Sequence, residues 1–211
     1  MGFIVSNEDN VWISTHYPNL IIDIQNNLIE GEIFINRSYQ NIALQDSYEI
    51  KISLLVNNTQ SIIPKVYEVS TKISNTAKKY SKEEIDLHIN TNDKSFCLTM
   101  YACEKNSFKN GFTFIEFFKN MLEPYLYWQS YYGRYGKAPW GEYAHGNLGY
   151  LELYAEDNIG YNELINILGN EEVEKYKHCF RQTTCYCGSG KKLRQCHNQV
   201  YQGIQKLKEV S

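Results

Sequence analysis

Leu20-Ile21-Ile22-Asp23-Ile24-Gln25-Asn26-Asn27-Leu28-Ile29-Glu30-Gly31-Glu32-Ile33-Phe34-Ile35 reads as two β-strands joined by a turn. β-Branched residues crowd both arms, and Asn26-Asn27 falls between them, where a tight reversal favours asparagine. Working outward, Tyr48-Glu49-Ile50-Lys51-Ile52-Ser53-Leu54 alternates with period two, the pattern of a sheet with one wet face. Pro64-Lys65-Val66-Tyr67-Glu68-Val69 adds a fourth strand, with proline at its entrance, where a missing N–H is tolerated. The order predicts an antiparallel meander over about residues 20–70.

Helical signals follow the meander and give an α+β chain. Ser81 and Glu84 form a candidate capping box. Thr113 can cap a helix over Phe114–Leu122, which Pro124 should end or kink. Residues 161–176 read as two short helices parted at Gly169, and Val200–Val210 as a last helix with Ile204 and Leu207 on one face. Between them, residues 125–154 hold eight of the 18 tyrosines and two of the three tryptophans. Few cations interleave with these rings, so core and interface roles outweigh base stacking.

Composition narrows the class. The 211 residues are 43% hydrophobic and 21% charged, which argues for a globular chain over a disordered one. A net charge of −3 sets up no global field to recruit nucleic acid or anionic lipid. No apolar run reaches the roughly 18 residues of a membrane span, and the start lacks a basic flank, so a cytoplasmic protein with no membrane partner is expected. Residues 171–211 carry a net +4 and the preceding 170 a net −7, which marks the tail as separate and makes a nucleic-acid partner unexpected for the body. The expected boundary falls at residue 156, giving units 1–156 and 157–211.

Four of the six cysteines lie in the last fifth of the chain, a spacing that favours a metal site over a disulfide scaffold. In Cys185-Tyr186-Cys187-Gly188-Ser189-Gly190-Lys191-Lys192-Leu193-Arg194-Gln195-Cys196-His197, three thiols and one imidazole offer a tetrahedral ligand set, with glycines free to bend around an ion. A phosphate-loop reading fails, because Cys185 stands where the first glycine belongs and Lys192 where Ser/Thr belongs. The run resembles the SEC-C zinc motif. That resemblance implies a structural Zn2+ held by Cys185, Cys187, Cys196 and His197 in a small helical unit. Nearby His178 and Cys179 are expected in core or surface roles.

A second constellation is Leu87-His88-Ile89-Asn90-Thr91-Asn92-Asp93-Lys94-Ser95-Phe96-Cys97-Leu98. After a meander, a His-x-Asn turn, a short gap, Cys-Leu and a later helix, residues 20–135 resemble the ubiquitin-conjugating (UBC) enzymes. Ile89 stands where that family has proline, the gap is one residue shorter, and Met100 and Tyr101 stand near the usual tryptophan. An N-terminal helix could form over residues 7–16. Pro139-Trp140-Gly141-Glu142-Tyr143-Ala144-His145-Gly146 also looks like bacterial UBC-like proteins, some of them associated with anti-phage operons.

The resemblance implies a thioester-transfer enzyme. Cys97 would be the nucleophile, Asn90 the oxyanion donor and His88 a support for the turn. Its partners would be an activating enzyme or activated donor, and a target protein such as a cGAS-like nucleotidyltransferase. Cys97 as a buried structural thiol remains the bland alternative. Cys103 is a weaker nucleophile candidate, and His145 lines the same cleft or serves a turn. The rival function is a non-catalytic UBC-like scaffold that binds proteins through its aromatic face and basic zinc tail.

Overall fold

Alternation builds the sheet. In the computed structural model, which describes residues 2–55, 61–108 and 111–210, four strands lie antiparallel in sequence order: β1 (Leu20–Asp23), β2 (Leu28–Tyr39), β3 (Ile42–Ser53) and β4 (Lys65–Glu68). Ile29, Ile33 and Ile35 of β2 share the buried face with Leu44, Tyr48, Ile50 and Ile52 of β3. Glu30, Glu32, Glu49 and Lys51 face solvent. The expected α+β meander is present, with β2 and β3 longer than the apolar pattern suggested. They run to a two-residue turn at Gln40-Asn41, where φ values of 47° and 65° give the geometry that matches strand twist. The residues flanking that turn are mostly exposed, so no apolar alternation announces it.

The first two helices are held in place by specific polar ties. α1 (Asn7–His16) is capped by Ser6, and its buried Asp9 accepts both the Ser6 hydroxyl and the Ile115 N–H, the latter at 3.1 Å. α2 (Lys72–Lys79) starts on the Glu68 carboxylate, which accepts the N–H groups of Lys72 and Ile73 at 2.9 and 3.0 Å. This corrects the expected helix start at Ser81. That residue follows α2 with φ 51°, and only a 3-10 turn, Glu84–Leu87, comes after it. A short α3 (Tyr101–Ser107) and α4 (Phe114–Phe117) lead on, the latter capped by Thr113 as expected.

Pro124 does not end the helix begun at Phe114. Phe118–Leu122 form a π turn in which the Glu123 N–H reaches the Phe118 carbonyl, and α5 (Glu123–Tyr135) continues beyond it. Proline lacks an N–H and crowds the carbonyl four residues back, and the widened turn absorbs both defects. Tyr125, Tyr127, Trp128, Tyr131 and Tyr132 of α5 are buried, so that stretch of the aromatic run is core.

The chain divides into two compact units, Met1–Pro139 and Trp140–Ser211. The second contains α6 (Asn147–Ala155), α7 (Tyr161–Leu168), α8 (Asn170–Lys177), α9 (Leu193–Cys196) and α10 (Asn198–Glu209). Composition had assigned α6 to the first unit. It groups with α10 because Gly203 lets the two backbones meet: a Cβ there would lie 2.2 Å from the Leu151 carbonyl oxygen. Lys206 Nζ donates to the Tyr154 carbonyl at 2.7 Å, a second tie between the two helices. Among the described residues no helix is long and apolar enough to cross a membrane.

Two glycines of the first unit should respond oppositely to a methyl group. Gly31 has φ 136°, and a Cβ on it would sit 2.1 Å from the Asn19 carbonyl oxygen. Gly31→Ala is expected to lower unfolding stability by about 3 kcal/mol from strain and overlap. Gly133, within α5, meets only Thr76 at 3.5 Å, and Gly133→Ala should hold or raise stability by up to about 1 kcal/mol. Urea unfolding of both variants checks the pair.

Candidate thiol site and candidate metal centre

The first unit brings His88, Asn90 and Cys97 onto one small hairpin. Ile89 and Phe96 form an antiparallel bridge, the Cys97 N–H donates to the His88 carbonyl at 2.7 Å, and the Asn90 N–H to the Ser95 carbonyl at 2.8 Å. The Phe96 N–H donates to the Val66 carbonyl at 2.8 Å, which fastens the hairpin to the free edge of β4. Cys97 is thus the residue just past the sheet edge, half-buried, and that burial pushes its thiol pKa up.

Helix α5 braces the hairpin from the core. The Tyr125 hydroxyl donates to the His88 carbonyl at 3.2 Å, and its ring stacks on Phe96 with centroids 4.5 Å apart. Gln129, one turn on, donates through Nε2 to the Leu87 carbonyl. The His88 ring meets Trp128 edge-on at 4.8 Å while its backbone sits in the left-handed region at φ 57°. Neither Tyr125 nor Gln129 was legible as a site residue, because each reads as one more polar group in an aromatic helix. Gln129 also joins Asp46, Lys72, Ser130 and Arg134 around a cavity of about 260 Å³. Within it Lys72 pairs with Asp46 and Tyr48 shares a 2.9 Å hydrogen bond with Ser130, while the buried Gln129 Oε1 has no hydrogen-bond partner.

The Asn90 carboxamide lies across the hairpin. Its Nδ2 donates to Ser95 Oγ at 3.0 Å and makes a longer contact, 3.5 Å, with the Phe96 carbonyl. Asp93 completes the turn by accepting the Ser95 N–H at 3.0 Å and its hydroxyl at 2.7 Å, and by pairing with Lys65 of β4. The Asp-x-Ser spacing was the available signal for this turn. Cys103 lies on α3, half-buried, beside Glu104. Glu104 is 5% exposed and accepts the Ile62 N–H at 2.8 Å and the Ser61 hydroxyl, and burial pushes its carboxyl up. His145 belongs to the second unit and is exposed, one residue before Gly146, the N-cap of α6.

In the second unit the four expected ligands converge. The donor atoms of Cys185, Cys187, Cys196 and His197 all lie within 4.8 Å of one another, a set that could hold a metal ion. A hairpin places the first two, with the Cys185 N–H donating to the Lys191 carbonyl at 2.7 Å and the Leu193 N–H to the Thr183 carbonyl at 2.9 Å. Gly188 and Gly190 bend its tip with φ 78° and 71°. Cys196 closes α9, and His197 stands at the mouth of α10 with Nδ1 3.1 Å from Cys185 Sγ. Ser189 was missed among the glycines. Its hydroxyl and amide bring the Cys187 thiol down to about 6, and the hydroxyl also lies 3.1 Å from Cys196 Sγ. A thiol so lowered is a ready ligand, whereas burial pushes that of Cys185 up to about 11; three sulfurs with one imidazole suit a thiophilic ion. Cys179 lies outside the cluster as a core residue, 2% exposed.

No protein family, curated protein or solved structure matches the chain.

Asp93 gives the hairpin an acid limit. Burial opposes its ionisation, but hydrogen bonds from Lys65 and Ser95 outweigh that and hold its carboxyl down at about 2, against an ordinary 3.8. A depressed folded-state value adds stability above about pH 4 that fades as pH falls towards 2. Acid unfolding followed by circular dichroism between pH 5 and pH 2 should therefore be shallower for Asp93→Asn than for the wild type. The pair is partly exposed, so the difference should reach at most about 1 kcal/mol.

Proposed function

We propose that the chain is a UBC-like thioester carrier, with Cys97 as the acceptor thiol and the second unit as a zinc-stabilised adaptor. The observation that carries this reading is the hydrogen bond from the Cys97 N–H to the His88 carbonyl. It ties the cysteine to the turn bearing Asn90, at the open edge of a four-stranded meander preceded by a helix and followed by helices. In the proposed cycle, the Cys97 thiolate attacks the thioester carbonyl of an activated protein C-terminus, and the donor thiolate departs. An amine of the target then attacks the Cys97 thioester. Negative charge gathers on the carbonyl oxygen until the Cys97 sulfur leaves as thiolate and the amine gives up its proton.

Asn90 fits the oxyanion role through one of its two amide hydrogens. Ser95 Oγ holds the first at 3.0 Å; the second has only the long contact to the Phe96 carbonyl, one residue from Cys97. A donor turned from that contact to an oxyanion is worth about 10² to 10³ in rate. The raised thiol pKa keeps Cys97 protonated at rest, and a docked partner must supply the base. The partners in this reading are an activating enzyme or activated donor and a protein target, of which a cGAS-like nucleotidyltransferase in an anti-phage operon is the analogy at hand. A scaffold function is the second reading, favoured by the half-burial of Cys97 and by the carboxamide of Asn90 already bonded within the hairpin.

Co-expression with neighbouring genes separates the two. Wild type should give a protein adduct lost on reduction, and Cys97→Ser a reduction-resistant ester adduct at the same site. Cys97→Ala should give none, and Cys103→Ala should behave as wild type. Full biological activity of Cys97→Ala would leave the scaffold.

For the second unit, zinc is the ion proposed: a full set of four protein ligands leaves no open position, so its role is structural. Purified protein should carry about one zinc per chain, and the Cys185→Ser, Cys187→Ser double variant none. Chelation should expose the amides of residues 183–197 to hydrogen exchange while those of the first unit keep their protection.

A further inference from the structure

The cavity of about 260 Å³ between β3, α2 and α5 has more hydrogen-bond acceptors than protons to meet them. Neither the thioester reading nor the metal reading gives it a task. Lys72 Nζ serves Asp46 and the Ser47 carbonyl, the latter at 2.9 Å, and lies 4.2 Å over the Tyr48 ring. The Ser47 N–H donates at 2.9 Å to the same Asp46 oxygen, Oδ1, that Lys72 meets. Oδ2 has only the Tyr48 hydroxyl, at 3.4 Å. The hydroxyls of Tyr48 and Ser130 bring two protons, and one of them lies in the 2.9 Å bond between the two. The other has two claimants, the Leu126 carbonyl at 2.9 Å from Ser130 Oγ and Asp46 Oδ2. The shorter contact takes it, and Asp46 Oδ2 goes without a donor.

Gln129 adds a second unmet acceptor. It lines the cavity at 3% exposure, its Nε2 is committed to the Leu87 carbonyl, and its buried Oε1 has no hydrogen-bond partner among the described residues. A buried acceptor left without a donor is costly to keep, which calls for a donor from elsewhere. The last turn of α5 supplies the opposite need. Arg134 lines the cavity, is exposed, and forms no ion pair among the described residues. With Lys72 and Arg134 against Asp46, the lining carries one net positive charge. An ammonium group brought inward would meet Lys72 as a like charge, so neutral hydroxyls are the donors that suit Asp46 and Gln129. A guanidinium fork suits a carboxylate or a phosphate. The space falls just below the roughly 300 to 1,000 Å³ of sites for drug-sized ligands, so the occupant is small.

We infer that this cavity binds a small polyhydroxylated anion of the sugar-phosphate or sugar-acid kind. Its hydroxyls donate inward to Asp46 Oδ2 and Gln129 Oε1, and its anionic group meets Arg134 at the end of α5. The inference depends on neither the thioester reading nor the metal reading. It does touch the thiol site from behind, because the Gln129 amide that would take the ligand's hydroxyl also holds the Leu87 carbonyl beside the Cys97 hairpin.

The test uses the full chain, titrated with ribose 5-phosphate, glycerol 3-phosphate and gluconate by calorimetry and by 1H–15N NMR. At least one of the three should bind with a Kd of about 1 mM or lower and shift the Gln129 side-chain amide; gluconate against the two phosphates decides which anionic group is preferred. Ribose alone and inorganic phosphate alone, the two halves of the first probe, should each bind about tenfold more weakly than the whole. Arg134→Gln changes an exposed side chain, so it should keep the wild-type melting temperature and lose about tenfold in affinity. Thr76→Met fills the cavity from α2 and should abolish binding; where circular dichroism shows that variant unfolded, Arg134→Gln and the Gln129 amide shift decide. No binding by any of the three probes would overturn the inference, as would wild-type affinity in Arg134→Gln or in folded Thr76→Met. Inorganic phosphate binding as tightly as the phosphates it is compared with would mean an adventitious ion only, and ribose binding as tightly as its phosphate would remove the anion; either result also overturns it.

Discussion

The carbonyl of His88 sets the geometry of the first unit's site. It accepts two donors, the Cys97 N–H from the facing arm and the Tyr125 hydroxyl from α5. A left-handed residue is needed for the chain to turn there, and such a conformation persists only where its surroundings over-determine it. The surroundings do so from three sides: Phe96 is tied to the Val66 carbonyl of β4, Gln129 holds the Leu87 carbonyl, and Trp128 abuts the His88 ring. The cysteine is therefore carried by sheet and helix together. Its surroundings are those of a thiol kept in a fixed place.

The second unit applies the same economy to a different problem. Its apolar interior is small, with Leu151, Leu164, Ile204 and Leu207 fully buried, and small units commonly need a metal or cross-link to stand. The hairpin of residues 183–193 is short and polar, and an ion held by the four atoms that converge around it would give it the cohesion its side chains lack. Because His197 is both a candidate ligand and the N-cap of α10, an ion bound there would be tied to the helix that carries Val200, Ile204 and Leu207 into the core.

The sheet was largely legible because burial on one face writes a period-two code, as in Ile29, Ile33 and Ile35. The code fails where a strand leaves the core, which is why the Gln40-Asn41 turn went unread. Helix starts were legible when the cap is adjacent in sequence, as at Thr113, and illegible at α2, whose N–H groups are met by Glu68 from the end of a strand. The Cys/His cluster was legible because all four residues sit within 13 positions of one another in sequence. The supports of Cys97 were not: Tyr125 and Gln129 come from a helix about thirty residues away, and only the folded chain brings their hydroxyl and amide to the hairpin.

The π turn at Phe118–Leu122 has a consequence for how α5 is phased. Such a turn holds one residue more than a regular helical turn, and each residue of an α-helix advances the face by about 100°. Everything downstream is thereby rotated by that angle about its own axis. Tyr125 and Gln129 face the carbonyls of His88 and Leu87 by virtue of a residue count upstream, independent of what those upstream side chains are. Phe118, Met121 and Leu122 of the turn are core side chains in their own right, but it is a gain or loss of one residue among the five that would swing the brace of the thiol round to the wrong wall.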